Sequence, residues 1–560
     1  MLTLQDSSSR RAACYGQVCM QRALCVVALL ALACLLVRSA RVGLAGDYID
    51  PIGRVTAQDE ALYSHSAIQM AHNGNWLTPT FMGRFALYKP PVLLWFSALS
   101  IKIFGISHLS LRLPVALFAS LGLGLIFLWT AELRSWQAGG CAAMLLASNH
   151  LWHVLGSLAI TDGILVALFI AAMYAIYCDP WLESKAALWG YSASVAAAIL
   201  TKSVAGLLPL GALLLYWMFG PRKERPTRQR VCLAGGLALA LAAPWFVYQA
   251  IAHGRWFFTE HILVELLAFG AGKPPQTSHE NQLLFYLTRL PLIDPVLLAV
   301  TLVSLPAFWK QLRQRSGPAV LLACWMTVIA ASLLAFQYRN ISYVLPLFPA
   351  MAILAAGYGP YSGKRTVIWF LVCTGIAFGC KAAFPEYPWG LSFHRGSIQA
   401  VAPLVSNYCE QARGNELILV GMDDDLYAAT LPLASLRYSL VGVSPSAGKY
   451  SMPFADMGIV LTAAQFNNLG NWMPAFRMRL AEWGIHTDQP IGTLLVPASP
   501  TDLAGMILAH PASDFLIPER FRGTVLATGS HVVVEQPGHL LLLSRQTIPR
   551  SQPPAWTCHL

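Results

Sequence analysis

Long apolar runs recur along the chain, separated by short polar breaks. The first, from about Arg22 to Leu44, follows Arg10 and Arg11 and reads as an uncleaved signal anchor, because many more runs follow. Further runs over Leu109–Ala131, Gln137–Ser157, Ile160–Cys178, Ala186–Leu200, Val204–Phe219 and Val231–Ile251 predict helices that cross a bilayer. After a long polar break come Val296–Trp309, Gly317–Phe336, Ile341–Gly359 and Thr366–Ala383. Two stretches, Pro90–Phe104 and Phe257–Gly270, read as interfacial helices or additional spans. The total is about eleven spans, or about thirteen if both cross.

Beyond about Phe384 the pattern changes. Apolar runs at Glu416–Val420, Met457–Leu461, Ile491–Val496 and Val532–Leu543 have strand length and alternate with helix-like stretches. The expected division is a membrane domain over 1–384 and a small α/β domain over 385–560, with long outer loops at 47–108 and 252–295.

Composition agrees with this pattern. The 560 residues are 56% hydrophobic and only 12% charged, which excludes most soluble multidomain readings and, with 11% aromatics, excludes disorder. The excess of 38 Lys and Arg over 27 Asp and Glu, a net charge of +11, sits mostly at the ends of apolar runs. A nucleic-acid binder would carry dense basic stripes on a polar surface, so no nucleic-acid partner is expected. The twelve cysteines include no Cys-x-x-Cys pair and fall mostly inside apolar runs, which argues against disulfide or zinc frameworks.

Threading the runs with a cytoplasmic N-terminus places Arg134, Lys185, the Arg222–Arg230 cluster, Lys310, Arg313, Arg315, Lys364 and Arg365 on one side. The long loops and the C-terminal part fall on the other. A few ionisable residues then remain on the outer side, at the mouths of spans. They are Asp59 and Glu60, Lys89, Asp162, Lys202 in a tight turn, and Arg339, followed by Tyr343. Cations are disfavoured in short translocated loops, so Lys202 and Arg339 point to an anionic partner, and an interfacial lipid phosphate is the obvious one. Taken singly, each could be a snorkelling or solvated residue.

The same segments carry a resemblance. The first outer loop, from DEALYSHSAIQ through NWLTPT, YKPPVLLW and FGISHLSLRLP, is similar to the N-terminal region of bacterial aminoarabinose lipid A transferases. More broadly it resembles the protein O-mannosyltransferase-like glycosyltransferases of the GT-C class. The likeness continues through TDGILVALF, LTKSVAGLLP, APWF and RNISYVLPLFP, covering about the first two-thirds of the chain. It implies a mostly α fold: a polytopic transmembrane bundle of GT-C type with a C-terminal soluble α/β domain on the outer side.

It also implies site roles. Asp59 matches the catalytic acid of the first outer loop and Asp162 the second acidic position. Lys89, Lys202, Arg339 and Tyr343 match residues that hold the donor phosphate or line its cavity. Glu60, Tyr63, Tyr88 and His261 are further candidates. The sequence departs from the family in three places. Ser203 follows Lys202 where relatives have Gly, Tyr88 stands where some have an acidic residue linked to a metal site, and an Arg after Glu260-His261 is missing. No cofactor is expected, and a divalent metal has little support.

The implied function is transfer of a sugar, such as 4-amino-4-deoxy-L-arabinose, from undecaprenyl phosphate to lipid A at the outer face of a bacterial inner membrane, by a monomer. The alternatives are a protein or other glycan acceptor, and a transporter without catalysis. A transporter would carry inverted repeats, and no convincing internal repeat is visible. Asp59 can alternatively be read as a cap at the start of an interfacial helix. Asp423-Asp424-Asp425 reads as an acidic turn after a strand, and His65 and His72, without a third ligand, make a weak metal site.

Overall fold

The computed structural model describes residues 54–81, 84–258, 261–262, 281–336 and 340–359, and in the C-terminal part chiefly 417–420, 438–441, 494–495, 500–529, 532–536 and 539–547. The signal anchor, the Thr366–Ala383 run, Arg339 and the Asp423–Asp425 turn lie outside the described residues.

Helix α1 (Arg54–Asn73) is followed by a two-residue hairpin, β1 (Thr80–Phe81) and β2 (Arg84–Phe85). Then come α2 (Val92–Phe104), α3 (His108–Leu133), α4 (Trp136–Ser148), α5 (His150–Leu155), α6 (Thr161–Cys178), α7 (Lys185–Lys202), α8 (Leu208–Phe219) and α9 (Arg228–Phe257). After the outer segment, α10 (Gln282–Ile293), α11 (Pro295–Arg313), α12 (Gly317–Ala335) and α13 (Leu347–Gly357) complete the bundle. Among the described residues, six helical stretches are long and apolar enough to cross a membrane: Leu109–Leu133, Thr161–Cys178, Lys185–Phe219, Arg228–Gly254, Pro295–Arg313 and Gly317–Ala335. At 13 residues, α2 is about 20 Å long and too short to span on its own.

Two breaks shape the bundle. The expected Gln137–Ser157 helix divides at Asn149, whose side chain accepts from the Trp152 amide and donates to Asp294. A buried amide and carboxylate thus stop one helix and start another. The Lys185–Phe219 stretch reverses at Ser203, and a 3₁₀ turn (Ser203–Leu207) runs back along α7. Gly206 is required there, because a Cβ would overlap the backbone of Ala198 and Ile199. Tyr191 on α7 closes the hairpin by donating to the Pro209 carbonyl at 3.0 Å.

The helix directions sort the charges. The N-termini of α3 and α6, the C-termini of α7 and α9, and the approach to α13 share one end. At the opposite end Arg134 donates to the carbonyl of Ala356 in the last turn of α13 and to that of Gly359 just beyond it.

The C-terminal strands form a six-stranded mixed sheet, ordered β5-β4-β3-β6-β8-β7. Here β3 (Leu417–Val420) lies parallel to β4 (Tyr438–Val441) and β6 (Asp514–Pro518), and β4 is parallel to β5 (Leu494–Leu495). The strand expected over 532–543 is instead an antiparallel pair, β7 (Val532–Gln536) and β8 (His539–Leu543), and a Pro-Gly dipeptide stands between the two in the sequence. Helices α14 (Pro500–Ala509) and α15 (Arg522–Thr528) pack Leu503, Ile507 and Val525 against Phe515, Ile517, Leu540 and Leu542. Asp514 anchors this part: it accepts from Arg413, Tyr408 and the Ser544 amide.

Candidate functional site

At the end of the bundle where α6 begins and α7 ends, the Lys202 ammonium meets both carboxylate oxygens of Asp162, at 3.0 and 2.9 Å. Neither side chain is fully buried, so the pair faces an open space and is not sealed in the core. Gly163 allows α6 to start this close to its neighbours, since a Cβ would meet the Leu155 carbonyl and the Val115 side chain. The Tyr343 ring lies 5.2 Å from the ammonium, in cation–π range.

Asp59 and Lys89 belong to the same electrostatic group. Asp59 lies in the second turn of α1, which begins at Arg54, so the capping role is not the one it plays. Burial pushes its carboxyl up to about 6, against the opposing pull of Lys89 and Lys202, and Asp162 adds to the rise. Lys89 lies between the β-hairpin and α2, beside Pro90 and Pro91. Burial, with Lys202 nearby, brings its ammonium down to about 7, against the support of Asp59 and Asp162. Tyr63, one turn along α1 from Asp59, stacks on Tyr88 with ring centroids 5.9 Å apart. Burial and the neighbouring Asp59 push its phenol upward, so it stays a neutral hydrogen-bonding group. Two carboxylates, two ammonium groups and the Tyr343 ring, from five separate segments, thus converge.

Glu60 plays a different part from its neighbour. It is buried and accepts from Arg112 Nε at 2.8 Å and Nη2 at 3.0 Å, and from the Ala159 amide at 2.8 Å. One carboxylate therefore ties α1 to α3 and to the segment that leads into Asp162. Successive helix positions are about 100° apart, so Asp59 turns toward Lys89 and Lys202 while Glu60 turns toward Arg112 in the core. Arg112 carried no assigned role from the sequence. Its signal was a lone Arg in an apolar run, which needs a counter-ion.

Lys89 and Lys202 are held from behind. Leu87 is buried against Trp245 and Phe257 of α9. Beyond the kink at Gly254 the chain folds His261 flat against the Phe257 ring, with centroids 5.1 Å apart. Its Nδ1 is 2.9 Å from the Leu87 carbonyl and its Nε2 is 2.8 Å from the Ser203 hydroxyl. Burial brings the imidazole down to about 4, so it is neutral. A carbonyl only accepts, so Nδ1 carries the proton, and Nε2 accepts from Ser203. Ser203 has φ 43° and ψ −115°, a strained conformation for a residue with a Cβ, costing about 1–3 kcal/mol. With both His261 nitrogens engaged and Tyr88 in place of an acid, the residues do not fit a metal. No cluster of three or more His, Cys, Asp or Glu suited to a metal exists among the described residues.

The first loop is pinned to α9. Trp245 Nε1 and Gln249 Nε2 both donate to the Leu77 carbonyl, at 2.9 and 2.6 Å, and Thr78 pairs with His253 at 2.9 Å.

Comparisons with known proteins agree with this architecture. Residues 88–248 match the family model described as dolichyl-phosphate-mannose-protein mannosyltransferase. The chain is 26% identical over 371 residues to the undecaprenyl phosphate-alpha-4-amino-4-deoxy-L-arabinose arabinosyl transferase of Erwinia tasmaniensis, covering 60% of this chain and 62% of that protein. The Edwardsiella ictaluri protein of the same name is 26% identical over 370 residues, covering 62% and 64%. The chain thus spans less than two-thirds of the length of these relatives. In three dimensions it superposes on ArnT from Cupriavidus metallidurans, solved bound to undecaprenyl phosphate, with a TM-score of 0.65 at 16% identity over 92% of this chain and 97% of that one. The resemblance read from the sequence therefore holds as a likeness: this is a mostly helical protein with several helices long and apolar enough to cross a membrane, it shares the fold of that ArnT, and in sequence it is similar to the aminoarabinose transferases.

Proposed function

We propose that this protein is a membrane glycosyltransferase that moves a sugar from undecaprenyl phosphate to a lipid acceptor; its relatives' names favour 4-amino-4-deoxy-L-arabinose as the sugar, and the resemblance of the first outer loop implies a lipid A phosphate as the acceptor. The observation that carries the reading is the cluster of Lys89 and Lys202 with Asp59 and Asp162 at one end of the bundle. That end lies opposite Arg134, and the basic flanks at Arg222–Arg230 and Lys310 follow the same division, which supports a periplasmic site and a cytoplasmic N-terminus. Residues 1–384 then form the membrane domain and 385–560 an outer α/β domain.

The chemistry follows from the charges. A sugar on a polyprenyl phosphate is a phosphodiester with one negative charge. An acceptor oxygen attacks the anomeric carbon, the bond to the phosphate oxygen breaks, and the phosphate leaves with the electron pair and a second charge. Lys89 and Lys202, with Arg339, which matches the family's phosphate-side position, stabilise that developing charge more than the starting one, which lowers the barrier. Tyr343 under Lys202 and Asp162 against it hold the ammonium in place. A phosphate acceptor is already anionic, so Asp59 orients the amino sugar or the acceptor and need not remove a proton. With a hydroxyl acceptor the same carboxylate would serve as base. Tyr63 and Tyr88 form the aromatic wall beside Asp59.

A second reading, a protein acceptor, is favoured by the mannosyltransferase model that matches residues 88–248. Mass spectrometry of lipid A and of envelope proteins from a strain lacking this chain separates the two. Loss of a pentosamine mass from lipid A is the expected result. Unchanged lipid A with altered glycoproteins would establish the second reading instead.

A further inference from the structure

The phosphate clamp uses two lysines from segments more than a hundred residues apart in sequence, Lys89 before α2 and Lys202 at the end of α7. Neither is fixed by its own element. Lys89 follows a short loop, and Lys202 ends a helix at a sharp reversal. A third segment touches both. His261 reaches the Leu87 carbonyl with one nitrogen and the Ser203 hydroxyl with the other, two residues from Lys89 and one from Lys202.

We propose that His261 and Ser203 form a positioning clamp that sets the separation of the Lys89 and Lys202 ammonium groups to match the departing phosphate. The inference rests on the reading of the site as a lipid-phosphate clamp. Three observations carry it. The imidazole is buried and stacked on Phe257, with Trp245 and Phe246 edge-on, so it cannot swing away. The Leu87 carbonyl only accepts, so Nδ1 donates to it, and in the neutral ring that burial favours Nε2 accepts from the Ser203 hydroxyl, so both ring nitrogens are tethered. Ser203 occupies a backbone conformation that glycine would adopt without strain. What serine adds is the hydroxyl, and that hydroxyl is bonded to His261. The strain is therefore retained in exchange for a tether on the residue next to Lys202.

The test uses Ser203→Gly, which removes the tether and relieves the backbone at the same time. A structural role for the serine side chain would lower thermal stability in detergent. The clamp predicts that stability is held or raised, while affinity for undecaprenyl phosphate in detergent micelles and kcat both fall about tenfold or more. His261→Ala loses binding in the same way, and His261→Gln, which keeps one donor and one acceptor, recovers part of it. Wild-type affinity and turnover in a stable Ser203→Gly protein would overturn the clamp. A wild-type protein that does not bind undecaprenyl phosphate at all would overturn the reading of the site itself.

Discussion

Lys202 grips both oxygens of Asp162, at 3.0 and 2.9 Å, across the open ends of two antiparallel helices. The carboxylate orients the ammonium and balances its charge before substrate arrives. In the proposed reaction an incoming phosphate adds a second anion on the open side, and the Tyr343 ring limits how far Lys202 can retreat. Lys202→Met should lower kcat by about a hundredfold or more, the usual loss for one donor to a developing oxyanion. Asp162→Asn should lower it less, about tenfold, because the cation remains but is no longer aimed. Turnover of a polyprenyl-phosphate sugar by the purified variants measures both. Equal and small losses would remove Lys202 from the clamp.

The pH dependence follows from Asp59 and Lys89. The Asp59 carboxyl is held up to about 6, so its ionised form is lost as pH falls through that value. The Lys89 ammonium is held down to about 7, so its charge is lost as pH rises through it. If both charges are needed, kcat/KM should trace a narrow bell with limbs near 6 and 7. A bound phosphate favours protonated Lys89, so the alkaline limb of kcat should lie higher than that of kcat/KM. Lys89→Arg, which stays charged, should abolish the alkaline limb in rate measurements between pH 5 and 9. An alkaline limb that survives this substitution would belong to another group.

Much of this site could be read before any fold was known, because an ion at the mouth of an apolar run is conspicuous. Asp59, Lys89, Asp162 and Lys202 stand out in that way. Which of them meet could not be read. The Asp162–Lys202 pair is set by a chain reversal at Ser203, and the roles of Asp59 and Glu60 divide by helix rotation. Ser203 stood out only as a departure from glycine, and its partner lies 58 positions away. The order of the spans was legible from apolar length, but the break at Asn149 depends on Asp294, a contact across 145 positions. In the C-terminal sheet, β6 (DFLIP) is buried at every position, so it has no alternation to reveal it.

Glu60 and Arg112 form a buried ion pair with 1–2% side-chain exposure, and the Ala159 amide shares the carboxylate. Removing one partner strands a charge in the core, so Glu60→Gln or Arg112→Met should each cost about 3–5 kcal/mol. Replacing both by apolar residues of similar size should restore much of that. Thermal unfolding in detergent gives the comparison. If Glu60 instead acted at the sugar, the double variant would fold but show no activity at all.

The reversal after Lys202 makes a last demand on the sequence. The 3₁₀ turn returns so closely along α7 that a methyl group on residue 206 would enter the backbone at Ala198 and Ile199. Helix backbones yield little, so Gly206→Ala must open the turn, at a cost of about 1–3 kcal/mol. Opening it moves Ser203 away from His261 and Lys202 away from Asp162, whose bonds depend on the tight path. Stability and turnover should therefore fall together, in contrast to Ser203→Gly, where turnover falls alone. Paired melting and rate measurements on the two variants distinguish a turn that shapes the site from one that merely joins two helices. If Gly206→Ala lost stability while keeping full turnover, the path of the turn would not set the position of Lys202.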